Sequence, residues 1–208
     1  MIKKVDILGI QLDNYTVREA IMCVERYLSN NVLNTIESIS LQMLIDSETN
    51  PVLKEVMSSL DLAIIGEKEI IQAAGLESMQ RIRETEENDF YFEFFKRIER
   101  NKKSVFLLGD TQEKIDSLKA ELTEDYPKLI FAGEYAVETC VGDLEAVIND
   151  MNATTPDVII SVLPSPMQEQ FLYEHRDKMN ANIWYGIGGV PVHKKKHHTS
   201  WQVGQQYE

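Results

Sequence analysis

Apolar runs of strand length alternate with segments of helical period along most of this chain. "VDILGIQL" (5–12) opens as a strand or a short hairpin, and "TVRE" (16–19) carries a Thr-x-x-Glu capping-box signature before the helical "AIMCVERYL". "NTIESI" (34–39) reads as a second strand. "LQMLIDSE" and "PVLKEVMSSL" read as two short helices, the second with Pro51 at its first position. "LDLAII" is a buried strand, and "KEIIQAAGL" is a helix ending at Gly75, a C′ residue. The polar "ESMQRIRETEEND" (77–89) reads as a mobile connection, and "FYFEFFKRIER" as an aromatic-faced helix.

From residue 104 the alternation is regular. Strands "SVFLLG", "KLIFAG", "DVIISVL" and "NIWYGIG" are separated by helices "TQEKIDSLKAELTEDY", "GDLEAVINDM" and "SPMQEQFLYEHRDKM". Strands alternating with helices of this length predict a single α/β domain over residues 1–192. Its sheet should be mostly parallel and Rossmann-like, with helices on both faces, followed by a basic and polar tail over 193–208. Such sheets bind ligands outside the carboxyl ends of their strands. The loops to inspect are therefore "IIGEKE" (64–69), "LLGDTQE" (107–113), "SVLPSPMQE" (161–169) and "GIGGVPV" (186–192).

Composition narrows the classes. The 208 residues suit one domain, and 43% apolar content supports a core. No stretch approaches a bilayer span, and the N-terminal apolar run is short and broken by Asp6, so a cytoplasmic protein is expected. Cys23 and Cys140 have no metal-type neighbours and read as free thiols. A formal net charge of −13 argues against nucleic acid as a partner. The one dense basic run, "HKKKHH" (193–198), reads first as a solvated tail. Its functional readings are a phosphate or anionic-lipid contact, or a weak metal site through His193, His197 and His198.

Each candidate loop has a structural and a functional reading. Asp110 and Glu113 fit a capping box after Gly109, a glycine that would also let a nucleotide approach; the Gly-x-Gly-x-x-Gly fingerprint of dinucleotide binding is absent. Gly186, Gly188 and Gly189 follow a strand. They imply a close approach by backbone or ligand, or positive φ, or a tight turn alone. Ser165, Pro166 and Gln168 fit N-cap, N1 and N3 of a capped helix, with Glu169 favouring its positive end. The same helix start offers N–H groups to an anion, Gln168 could read a uracil edge or sugar hydroxyl, and Glu169 suits a sugar hydroxyl.

Taken in order, these loops resemble the WecG/TagA/CpsF family of bacterial glycosyltransferases. The resemblance runs from "VDILGIQLDNYTVREAI" through "NPVLKEVMSSLDLAII", "SVFLLGD", "YPKLIFAGEY" and "PDVIISVLPSPMQEQFLYEHRD" to "IWYGIGG". Its most specific segments are "PSPMQE", like the family's Gly-x-Pro-x-Gln-Glu, and "GIGG", like its Gly-[Val/Ile]-Gly-Gly. The resemblance implies transfer of N-acetylmannosamine, or a related sugar, from a UDP-sugar to a polyprenyl-diphosphate-linked acceptor in cell-surface polysaccharide or teichoic acid synthesis. The implied partners are a nucleotide-sugar, a lipid-linked acceptor at the inner face of the membrane, and a further copy of the chain. No cofactor is implied, and the chain has no Asp-x-Asp metal motif.

The family pattern maps onto named positions. Its Thr-x-Asn pair corresponds to Ser38 and Ser40, and its Pro-Asp-Gly base turn to "IIGEKE", with Gly66 at the aspartate and Glu67 as replacement base. Its mid-chain arginine corresponds to Arg83 or Arg81. Donor binding falls to Ser38, Ser40, Gly109, Asp110, Gln168, Glu169, Gly186, Gly188 and Gly189, and catalysis to Glu67 and Arg83. The family's C-terminal arginine- and aromatic-rich extension is missing or reduced to "HKKKHHTSWQVGQQYE". These departures leave a second expectation, a nucleotide-sugar-binding or regulatory protein that has lost the reaction.

Overall fold

The computed structural model describes residues 3–76 and 78–191. The chain opens with an antiparallel hairpin, β1 (Lys4–Ile7) and β2 (Ile10–Asp13). Leu8 and Gly9 between them both take positive φ, +53° and +83°, as the twist of a two-residue hairpin turn demands. There follow α1 (Val17–Leu28), β3 (Asn34–Ile39), α2 (Leu41–Ser47), α3 (Pro51–Ser59), β4 (Leu62–Ile65), α4 (Lys68–Ala73), α5 (Met79–Glu86) and α6 (Asp89–Arg100). The second half contributes β5 (Ser104–Gly109), α7 (Gln112–Asp125), β6 (Ile130–Ala136), α8 (Glu145–Ala153), β7 (Val158–Ser161), α9 (Met167–His175) and β8 (Ile183–Gly186).

The eight strands form one sheet in the order β1-β2-β4-β3-β8-β7-β5-β6, parallel throughout except for the opening hairpin. Strand alternation sends successive residues to opposite faces. Ile36, Leu62, Leu107, Ile160 and Tyr185 pack under α1, α6 and α7. Phe106, Leu108, Ile159 and Trp184 pack under α3, α8 and α9, while Ile39, Ala63 and Ile65 pack under α2, α3 and α4. The aromatic face expected for residues 90–100 is the buried side of α6: Phe90 and Phe94 lie 5.6 and 4.5 Å from the Tyr185 ring, centroid to centroid. Such pairs add about 0.5–1.5 kcal/mol each beyond simple burial.

Helix starts follow local chemistry, with corrections. Thr16 accepts from Glu19 N–H at 3.3 Å, but the Glu19 carboxylate pairs with Lys3 instead of closing the box. Pro51 stands at the start of α3 behind its cap Asn50, and Gly75 takes φ +69° just past α4. Asp110 does not cap α7. Thr111 does, accepting from Lys114 N–H at 3.3 Å, and Asp110 binds Lys114 Nζ at 2.9 Å. Ser165 is not the cap of α9 either: the Ser165–Pro166 peptide is cis, Pro166 occupies the cap position, and Gln168 N–H donates to Pro164 O at 2.9 Å.

The polar 77–89 segment is the largest revision, because α5 occupies most of it. Arg81 and Glu84 are buried there, facing each other one helical turn apart. Charged residues are read as solvated unless a partner of opposite sign at helical spacing is noticed. The basic run at 193–198, with its lipid and metal readings, lies outside the described residues.

Candidate functional site

The carboxyl ends of β4, β3, β8, β7 and β5 line one rim. At the β3–β4 end a small cavity of about 20 Å³ opens, lined by Tyr15, Ser38, Gly66, Arg81, Thr85 and Asn88 among others. Helix α5 covers it, packed between α4 and α6. The volume holds about one water molecule. Its polar walls are well defined. Arg81 Nε donates to Asn14 Oδ1 at 3.2 Å, and its guanidinium donates to Glu84 Oε2 at 2.7 Å. Glu84 also accepts from Val17 N–H and from Gln80 Nε2. The Thr85 hydroxyl is buried and has no hydrogen-bond partner among the described residues. Ser38 is hydrogen-bonded to the Tyr185 phenol, which burial pushes well above its ordinary pKa.

The rim also brings the predicted loops together. Gly188 N–H donates to Gln168 Oε1 at 3.1 Å, so the proline-containing turn and the glycine turn are joined. None of Gly186, Gly188 and Gly189 has positive φ. Close approach is what requires them. A Cβ on Gly188 would stand 1.8 Å from Leu163 O, and one on Gly186 2.7 Å from Gln168 Nε2. A Cβ on Gly189 would meet Met43 Sδ at 2.3 Å. Gly66 joins the same junction: a Cβ there would lie 2.7 Å from both Ile39 O and Val190 Cγ1. Position 66 therefore has no room for an aspartate side chain, and glycine there is a packing requirement.

The individual candidates separate into groups. Ser38 lines the cavity. Ser40 is buried and committed to capping α2, accepting from Met43 N–H at 3.1 Å. Glu67 stands at the start of α4, half-buried, with no capping hydrogen bond from its side chain. Arg83 is exposed and lies outside the cavity lining; of the two arginines, Arg81 is the one in the wall. Gly109 packs against Ile115 and Val162, and Asp110 beside it pairs with Lys114. Gln168 and Glu169 have no exposed surface and are bonded internally.

Several residues of the site escape a reading of motifs. Asn14 and Tyr15 in "LDNYT", and Glu84 and Thr85 on α5, carry no pattern of their own; the spacing of Arg81 and Glu84 is the only usable signal. Glu37 is a further case. It sits within an apolar-looking strand, fully buried, accepting from Trp184 Nε1 at 3.0 Å.

A mostly parallel sheet with a polar, arginine-walled cavity and a glycine junction at its carboxyl rim makes this an α/β protein of the open-sheet class, whose members hold ligands at the strand ends. Residues 5–191 match the model of the glycosyl transferase WecG/TagA/CpsF family, and the chain belongs to that family. It is similar to the N-acetylglucosaminyldiphosphoundecaprenol N-acetyl-beta-D-mannosaminyltransferase of Staphylococcus aureus strain NCTC 8325 / PS 47, with 22% identity over 188 residues, 89% of this chain and 73% of the relative. The proteins of the same name from strains COL and MRSA252 match at the same identity and coverage. Among the described residues no helix is long and apolar enough to cross a membrane.

Proposed function

We propose that this glycosyltransferase-family protein moves an N-acetylhexosamine resembling N-acetylmannosamine from UDP to a polyprenyl-diphosphate-linked sugar, at the inner membrane face, for a cell-surface polymer. The observation that carries the reading is the polar cavity at the β3–β4 rim, where Ser38, Gly66 and Arg81 meet in a chain of this family. Arg81, paired with Glu84, is the cation of the cavity wall that this reading sets against the departing diphosphate, where charge develops as the bond breaks. Glu67, on the loop from Gly66 into α4, takes the acceptor hydroxyl proton. The acceptor oxygen bonds to the anomeric carbon, and the bond from that carbon to the UDP oxygen breaks. A nucleotide-sugar is far larger than the cavity, so this reading has α5, which covers it, give way on donor entry.

The purified protein is expected to release UDP from UDP-N-acetylmannosamine when given a lipid-diphosphate-linked N-acetylglucosamine. A second reading, binding without transfer, rests on two observations: Gly66 has no room for a carboxylate, and Glu84 already neutralises Arg81. Calorimetric titration with UDP-sugars separates the two. Binding without UDP release favours the second reading, and no binding to either form of the nucleotide removes both.

A further inference from the structure

The opposite face of the sheet holds two carboxyl groups in contact. Glu37 lies mid-strand in β3, level with Ala63 on β4 and Gly186 on β8; Glu169 lies in the first turn of α9. Neither has any exposed surface. The donors around them are few. Trp184 Nε1 serves Glu37 Oε2; Gln168 Nε2 donates to Glu169 at 3.0 Å and also reaches Glu37, and the Ser165 hydroxyl serves Glu169. Among the described residues Glu37 Oε1 has no hydrogen-bond donor within bonding geometry, and its neighbour is the Glu169 carboxyl.

Two unprotonated carboxylates in contact in a buried site repel each other, and an orphaned buried oxygen adds its own cost. One proton removes both problems. We infer that Glu37 and Glu169 share a single proton, Glu37 Oε1–H donating to the Glu169 carboxylate, and that this bond positions Gln168 against the glycine turn. Burial and mutual repulsion hold Glu37 well above the ordinary carboxylate pKa, and burial raises Glu169 too.

Among the described residues no charged group nearby offers an alternative compensation. The sheet presents Ala63, Trp184 and Gly186 at this level, and α2 presents Met43 near the turn. The charges of α3, Lys54 and Glu55, are exposed. His175, further along α9, packs on the Phe171 ring at 4.8 Å. Asp13, the buried carboxylate of β2, is engaged by Lys4 and by Ala63 N–H. The junction therefore carries one negative charge and one proton, whatever ligand the other face binds.

Linkage gives the sign. The folded protein holds a proton that the unfolded chain releases near the ordinary glutamate pKa, so stability falls as pH rises from there towards the raised folded value. Glu37→Gln replaces the shared proton by a permanent amide N–H that donates to Glu169, while its carbonyl still accepts from Trp184. In urea unfolding from pH 5 to 9, the folding constant of the natural protein should fall relative to Glu37→Gln by up to about tenfold per pH unit. The Gly188 amide resonance should shift with pH in the natural protein and lose that titration in Glu37→Gln. Parallel stability profiles, or a Gly188 amide that titrates alike in both proteins, would overturn the inference. Should Glu37→Gln fail to fold, infrared spectra of the natural protein decide: a protonated-carboxyl stretch persisting at neutral pH upholds the shared proton, and its absence removes it.

Discussion

Gln168 and Gly188, twenty positions apart in sequence, meet through one hydrogen bond of 3.1 Å from the glycine N–H to the glutamine side-chain oxygen. The same glutamine donates from its other end to Glu169 at 3.0 Å. One buried amide thus ties the entry of α9 to the turn after β8, with no surface left to solvent. Gln168→Ala should leave the Gly188 N–H and a Glu169 oxygen short of a partner. The expected loss is about 1–3 kcal/mol for each group left unsatisfied, read by urea denaturation at neutral pH.

Gly188→Ala should be the most damaging of the glycine substitutions. Its Cβ would fall 1.8 Å from the Leu163 carbonyl oxygen, which is backbone and has no rotamer to change. The cost should reach or exceed the roughly 1–3 kcal/mol typical of overpacking. Gly75→Ala, where no described residue lies within 4 Å of the new Cβ but φ is +69°, should cost about 1 kcal/mol from backbone strain. Thermal melts of the two variants test the order.

Arg81 and Arg83 should behave differently. Arg81→Met strands Glu84, whose side chain is only 9% exposed, without its cation, at a cost of about 3–5 kcal/mol. Arg83→Met, on the exposed side of α5, should stay within about 0.5 kcal/mol. Equal denaturation midpoints for the two variants would refute the assignment of Arg81 to the cavity wall.

Glu67 carries the proposed proton transfer. Glu67→Gln should lower UDP release in the presence of acceptor by at least about tenfold, a floor set below the roughly 10²–10⁴-fold that a general base contributes, with UDP-sugar affinity unchanged by calorimetry. Unchanged turnover would take Glu67 out of the mechanism. Its side chain caps no helix N–H, so the substitution should leave the melting temperature in place.

Sequence alone settled what depends on neighbours along the chain. Alternating strand and helix patterns gave the parallel α/β sheet, Pro51 and Gly75 marked helix ends, and two short segments, "PSPMQE" and "GIGG", pointed to the family. These are legible because side-chain periodicity, proline's fixed φ and glycine's freedom act locally. Which side chains share a site was decided only by folding. Gln168 and Glu169 read as part of a capped helix start that could also bind a nucleotide-sugar; in the fold they are internal, because β3 sets Glu37 opposite them and the glycine turn closes over them. Arg81, not Arg83, turns inward because Glu84 one turn later supplies its counter-charge under the cover of the sheet rim. A charged side chain is buried or solvated according to a partner that arrives from elsewhere in the chain or along a helix face, and that partner exists only once the tertiary structure has formed.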